Sequence, residues 1–300
     1  PGRICGMKAY KINAFTYRGR GGNGAGVVCC RDFPPPKAMQ KAANALGFSE
    51  TVFIRPVKGG YHSRFFTPEC EVPTCGHATI AAFFLLSVLG EIKGGDGEVA
   101  LLQETGEGSL PVYVSFRQGR ADKVFMEQSR PKSLGKLEGS ELEELYRCLG
   151  LDPANVGVAE GGDGEAEIIS TGLPDIIVPV TSRETLDRLS PDFLRLADLS
   201  RRLGVVGAHV FTMETGNDEF TVLCRNFGPA VGINEESATG TSNGALGYYL
   251  YKRDLLPGGE MVSGQGFGMG KPSAIHVKVE RDKVLVGGEA AVAGALEMDI

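Results

Sequence analysis

Residues Arg64–Gly90 read R-F-F-T-P-E-C-E-V-P-T-C-G-H-A-T-I-A-A-F-F-L-L-S-V-L-G. The stretch begins as a strand, crosses a loop of Pro and polar residues, and ends as a helix. From Ile80 to Leu89 almost every side chain is apolar, so that helix has no face for water and belongs inside a core. It is too short to span a bilayer. Cys75, His77 and Thr79 then fall on its first turn, where unpaired backbone N–H groups and the positive end of the helix dipole collect. Such an end binds a carboxylate or steadies a developing oxyanion.

The same design recurs between Thr221 and Leu255. Arg64-x-Phe66-x-Pro68 is echoed by Arg225-x-Phe227-x-Pro229, and Cys75-Gly76-His77-Ala78-Thr79 by Thr239-Gly240-Thr241-Ser242-Asn243. A helical run, Ala245–Tyr251, follows the second copy. Two ordered strand–loop–helix units predict a duplicated chain, each half built on a central helix with a glycine at its mouth.

Around these units the chain reads as short strands and few helices. Lys8–Phe15, Tyr61–Phe66, Leu110–Arg117, Lys123–Glu127, Glu167–Ser170 and Ile176–Val180 are expected strands. So are Ser273–Val279, Lys283–Gly287 and Ala293–Asp299, while His209–Glu214 and Phe220–Phe227 make a hairpin. Pro36–Leu46 reads as a helix stopped by Gly47. Ser140–Leu149 is a second, with a Ser140/Glu143 capping box and Gly150 as its stop. A third opens at Ser190-Pro191 and closes at Gly204. Gly94–Gly108 reads as a surface hairpin region and Ser129–Leu137 as a linker. The absence of a βαβ rhythm gives an α+β class. The expected halves are residues 7–121, joined by a returning strand at about 290–300, and residues 136–285. Pro1–Gly6 reads as a remnant ahead of a start at Met7.

Two glycine-rich stretches imitate nucleotide loops and fail the structural test. Gly19, Gly21 and Gly24 give a formal G-x-G-x-x-G, but the strand-forming Val27-Val28-Cys29-Cys30 follows instead of a helix. Gly264–Lys271 lacks the spacing of a phosphate loop, and Pro272 forbids the helix that should follow.

Composition narrows the function. Across 300 residues, 42% hydrophobic and 23% charged content is that of a globular chain. A net charge of −6 without basic clusters argues against nucleic acid. There is neither a membrane-length apolar run nor a signal peptide. Seven cysteines without a C-x-x-C pair, and four scattered histidines, argue against a disulfide framework or a zinc site and for a reducing cytoplasm.

Taken in order, further motifs carry a specific resemblance. They are Ala14-Phe15-Thr16, Gly22-Asn23-x-Ala25-Gly26-Val27-Val28, Ser49-Glu50-Thr51-Val52-Phe53 and Arg64-x-Phe66-Thr67-Pro68. Glu71-Val72, Cys75-Gly76-His77-Ala78-Thr79, Ala238-Thr239-Gly240, Gln265-Gly266 and Met269-Gly270-Lys271-Pro272-Ser273 complete the set. The chain resembles the phenazine-biosynthesis PhzF-like isomerases of the diaminopimelate epimerase-like superfamily. The resemblance implies two pseudo-symmetric halves, each a curved, barrel-like sheet around a central helix, with the site in the cleft between them. It implies an isomerase with no metal and no organic cofactor, commonly a homodimer, acting on a small carboxylate-bearing substrate.

The resemblance also implies roles for residues. Glu50 becomes the general acid/base, where composition alone makes it a solvated loop carboxylate. His77 and Glu236 become its catalytic companions, although His77 alone reads as a helix-mouth histidine bonded to a loop carbonyl. Asn23, Cys75, Gly76, Thr239, Gly240 and Thr241 become substrate-binding. The family's E-D-P-A-T-G-S is here Glu235-Glu236-Ser237-Ala238-Thr239-Gly240-Thr241, so the Asp has gained a methylene. A displacement near 1 Å can cost about 100-fold in rate. Desolvation is expected to raise the Glu50 pKa. Two other readings stand beside this one. Cys75, its thiol acidified by the helix end, would serve a racemase, epimerase or dehydratase of an amino or imino acid, although its counterpart Thr239 is no acid/base. Alternatively the scaffold has lost its chemistry and binds a partner.

Overall fold

The computed structural model describes residues 7–158 and 164–298; Pro1–Gly6 and Asp299 lie outside them. Two compact units make up the described chain, residues 7–127 with 287–298, and residues 128–286.

In the first unit, β1 (Met7–Thr16), β2 (Asn23–Cys29), β3 (Thr51–Val57), β4 (Gly60–Phe66), β6 (Gly97–Thr105), β7 (Gly108–Arg117) and β8 (Arg120–Glu127) pair in that order. The long β17 (Lys283–Met298) pairs with both β1 and β8, so the sheet closes on itself. Helix α1 (Pro36–Leu46) links the parallel β2 and β3. Short β5 (Glu71–Val72) leads into α2 (Gly76–Val88), which packs against β1, β2, β3, β7 and β8. Ile80, Phe83 and Leu85 of α2 are at most 1% exposed. Each such side chain stabilises the fold by roughly 1.5–3 kcal/mol, which explains why this helix shows no polar face.

The second unit repeats the pairing. Strands β10 (Glu167–Ser170), β11 (Pro174–Pro179), β12 (Ala208–Thr212), β13 (Val222–Gly228), β15 (Glu260–Gln265) and β16 (Ser273–Glu280) pair in succession. The β11–β12 and β13–β15 pairs are parallel, as are β2–β3 and β4–β6. The link from β11 to β12 carries α4 (Arg183–Arg188) and α5 (Phe193–Leu203). Between β13 and β15, short β14 (Ile233–Glu236) leads into α6 (Gly240–Tyr251), which packs on β10, β11, β12, β15 and β16. The duplicated unit read from the sequence is therefore duplicated in topology.

The Arg of each copy forks onto a carboxylate. Arg64 donates from Nε and a terminal nitrogen to the two carboxylate oxygens of Glu71, at 2.7 and 2.6 Å. Arg225 grips Glu235 in the same two-pronged way, at 2.9 Å for both bonds. Each fork fastens a strand to the loop that delivers a helix mouth.

Several expected elements are corrected. Residues 132–136 of the expected linker form β9 (Lys132–Lys136), antiparallel to β10. All five residues are exposed, so no alternation betrays the strand. The expected surface hairpin at 94–108 contains the nine-residue β6. The two expected closing strands are one, β17. Helix α3 (Gly139–Leu149) begins a residue before Ser140 and has no side-chain cap, so the capping box is absent. In α5 the N-cap is Asp192, which accepts from Arg195 N at 3.1 Å, so the helix starts two residues after the expected Ser190. Among the described residues no helix is long and apolar enough to cross a membrane.

Candidate active site

The first unit brings Ser49, Glu50, Cys75 and His77 together. Glu50 precedes β3, and its carbonyl accepts from Gly26 N at 3.0 Å, which ties it to β2. Cys75 is the N-cap of α2 and Gly76 its first residue. The 8%-exposed His77 ring has a partner at each nitrogen: Nδ1 lies 3.5 Å from Cys75 Sγ, and Nε2 3.1 Å from Glu50 Oε2. Ser49 Oγ is 3.4 Å from the same Nε2. Glu50 Oε2 is buried and faces the His77 ring as the carboxylate of an ion pair. The carboxylate keeps a second oxygen, turned away from the ring, that can take a proton.

Electrostatics sets the charge states. Burial raises the Glu50 pKa, but hydrogen bonding and charge from His77 and a hydrogen bond from Ser49 outweigh it, and the net shift is downward. The desolvation expected from the sequence is present, and the ion pair defeats it. For His77, burial favours the neutral ring, yet the contacts with Cys75 and Glu50 lift its pKa well above 6.5. Both shifts favour the charged pair, carboxylate and imidazolium. Burial pushes the Cys75 thiol up against the pull of His77, so the helix end does not make it a thiolate.

One ligand atom each of Glu50, Cys75 and His77 lies within 4.8 Å of the others, the one group among the described residues with metal-ligand chemistry. The His77 ring meets its two partners with different nitrogens. An ion on either nitrogen would leave the other partner behind the ring, so the set has the form of a relay more than of a cage. Asn23 opens β2, opposite Ala14 of β1.

The second unit has its own cluster at the mouth of α6. Thr239 is the N-cap, Gly240 the first residue and Thr241 the next. Thr239 Oγ1 donates to Glu236 Oε2 at 2.9 Å. Thr171 Oγ1 donates to the Thr241 carbonyl at 2.9 Å. Beneath lies a buried polar chain that sequence reasoning missed. Ser242 donates to Asp175, and Asn226 Nδ2 lies 3.2 Å from both Ser242 Oγ and His209 Nδ1. Burial raises the Asp175 pKa to about 7 and takes that of His209 down to about 3. Single polar residues in apolar strands carried no signal for it.

The two clusters are not equivalent. Glu50 O accepts from Gly26 N, one step before the Gly26–Thr51 pair, and Gly207 O accepts from Ile176 N, one step before Ile176–Ala208. Glu50 thus corresponds to Gly207. A Cβ at Gly207 would come 1.8 Å from Phe227 O, so no side chain fits there. The carboxylate at this position exists in one half only.

The sequence profile for PhzC-PhzF, phenazine biosynthesis-like proteins, matches residues 12–295. The chain belongs to the PhzC-PhzF family. An uncharacterised isomerase of Deinococcus radiodurans is 35% identical over 303 residues, covering 94% of this chain and 91% of its own. Another, of Clostridium acetobutylicum, is 32% identical over 295 residues, covering 94% and 95%. The crystal structure of a Bacillus anthracis PhzF-family phenazine biosynthesis protein superimposes with a TM-score of 0.84 at 25% identity, covering 99% of this chain and all of that one. This PhzC-PhzF member is accordingly an enzyme of the isomerase type.

Proposed function

We propose that the chain is a cofactor-independent isomerase that moves a proton between carbons of a small carboxylate-bearing metabolite, with Glu50 as the proton carrier. The observation that carries this reading is the Glu50 carboxylate itself: one oxygen is buried and paired with His77 at 3.1 Å, with only Gly207 at the matching place in the other unit. Racemisation by two opposed groups needs a second acid of comparable strength. Here the counterparts of Glu50 and Cys75 are Gly207 and Thr239, and neither exchanges protons with carbon near neutral pH. One carrier on one face instead suits abstraction at one carbon and return at a neighbouring one.

In this scheme Glu50 takes the acidic proton of the substrate carbon on the oxygen turned away from His77, and the electron pair moves into an enolate. His77, charged and held from both ends, steadies the ionised Glu50 before the step and the growing negative charge during it. The backbone N–H groups at the mouth of α2, Gly76 and His77, offer the same help to an anionic oxygen. Glu50, now protonated, returns the proton to the second carbon and regains its charge. In the second unit, the mouth of α6 at Gly240 and Thr241, beside Glu236 oriented by Thr239, offers groups of its own to a ligand's anionic oxygen.

The test uses a panel of small unsaturated and 2-substituted acids. Substrates are first found by deuterium uptake in D₂O, followed by proton NMR. A substrate deuterated at the migrating position, turned over in H₂O, should hand part of its label to the product, because one carboxyl both takes and returns it. Complete loss of label with a mirror-image product would favour two opposed groups and overturn the single-carrier reading.

A further inference from the structure

Both central helices start with a residue whose side chain makes no capping bond. For Cys75 this is unsurprising. For Thr239 it requires a cause, because threonine is a good N-cap and its backbone, at φ −124° and ψ 102°, already has the extended conformation of one. Only the hydroxyl is turned away, and the structure shows what turns it.

Gln265, with no exposed surface, ends β15 beside the mouth of α6. Its amide orientation is forced. Oε1 lies 3.2 Å from Thr239 N, which can only donate, and Nε2 lies 2.8 Å from the Glu236 carbonyl, which can only accept. The second hydrogen on Nε2 goes to Thr239 Oγ1 at 3.1 Å. Thr239 Oγ1 is thus an acceptor toward Gln265, and its single hydrogen is given to Glu236 Oε2. Asn243 completes the lock, with Nδ2 donating to Gln265 Oε1 and to the Thr239 carbonyl, each at 2.9 Å. The next residue, Gly266, takes φ 76°, and a Cβ there would fall 2.6 Å from Ser237 O, so the β15 end lies directly on the 236–239 loop.

We infer that Gln265 is a positioning residue: by holding the Thr239 hydroxyl toward Glu236 it keeps that hydroxyl from capping α6 and leaves the helix mouth open to an anionic oxygen. The inference rests on the proposed use of the α6 mouth as a site for a ligand's anionic oxygen. Without the Gln265 grip, the Thr239 hydroxyl needs only a rotamer change to accept from the N–H of Thr241 or Ser242, the groups a substrate oxygen would need. A threonine cap competes with such a ligand by a factor of about 3 to 30.

Acetate is the probe, titrated into the whole protein while the amide signals of Gly240 and Thr241 are followed by ¹H–¹⁵N NMR. Wild type should bind, and Gln265→Met should bind about 3- to 30-fold more weakly. Adding Thr239→Val to Gln265→Met should restore binding, since valine has no hydroxyl with which to cap. A residue that merely supported the fold would show no such rescue. Binding that Gln265→Met leaves intact, or a loss that Thr239→Val does not restore, overturns the role of Gln265 alone. No response in wild type overturns the α6 mouth as an anion site. Should Gln265→Met fail to fold, the couplings from Thr239 Cγ2 to its own backbone N and C′ in wild type report the rotamer. A capping rotamer there would refute the inference directly.

Discussion

Replacing Glu50 by Gln removes the proposed proton carrier while keeping its shape. Glu50 Oε2 now sits buried, 3.1 Å from His77 Nε2. In Glu50→Gln the amide oxygen takes the place facing the ring, because an NH₂ there would oppose the ring N–H. The atom left for the substrate is then an amide nitrogen, which cannot accept a proton. Loss of general acid–base catalysis predicts a fall of about 10²–10⁴ in the rate of exchange at carbon. The stability cost is smaller than the burial suggests. Stranding one charge of a buried pair costs about 3–5 kcal/mol. His77 escapes by shedding its proton, which limits the loss to that of a hydrogen bond to a charged group, about 1.5–3 kcal/mol. The assay is deuterium uptake from D₂O by the acid that wild type exchanges fastest, with circular dichroism to confirm folding. Cys75→Ala, the loss of a small packed thiol, should stay within about tenfold of wild type. A folded Glu50→Gln within about threefold of wild type would refute the reasoning, and an inactive Cys75→Ala beside it would transfer the chemistry to the thiol.

The other expectations concern stability. His77, its pKa raised, stabilises the fold fully below 6.5 and loses that contribution as pH rises through the folded value. Glu50, its pKa lowered, contributes above 4.5 and loses that as pH falls through its folded value. The Tm difference between wild type and His77→Asn should therefore peak between those two pH values and narrow on either side; a flat difference contradicts the ion pair. Glu167, 1% exposed, contacts Ser133 and Lys252 through Oε1 and Arg253 through Oε2 at 2.7 Å, so it anchors the C-terminal end of α6. Glu167→Gln leaves two cations short of a partner and should cost about 2–4 kcal/mol in urea unfolding, against no measurable change if solvent replaces the bond. Gly207→Ala drives a Cβ into the Phe227 carbonyl and should cost more than about 3 kcal/mol or abolish soluble expression; a variant as stable as wild type would show that the position tolerates a side chain.

Much of this was legible in the chain itself. The run Ile80–Leu89 dictates a helix buried through Leu86, although Val88 and Leu89 at its end are exposed, and its echo at Thr239–Tyr251 dictates a second. The forks to Glu71 and Glu235, seven and ten residues on, were not legible, but the repeated Arg-x-Phe-x-Pro was, as a motif. Stops at Gly47, Gly150 and Gly204 were equally plain, each taking a left-handed φ of 65° to 67°. What stayed hidden depends on partners far along the chain. β9 has no exposed–buried alternation and exists only because β10 offers it a ladder. The Glu50 pKa could be guessed from burial, but its sign turns on His77, 27 positions further on and brought within 3.1 Å by the packing of α2 against β3. That Glu50 has a glycine as its counterpart emerges only when the two sheets are compared bond by bond. Local pattern decides which residues must be buried; which polar atom meets which is decided by tertiary contact alone.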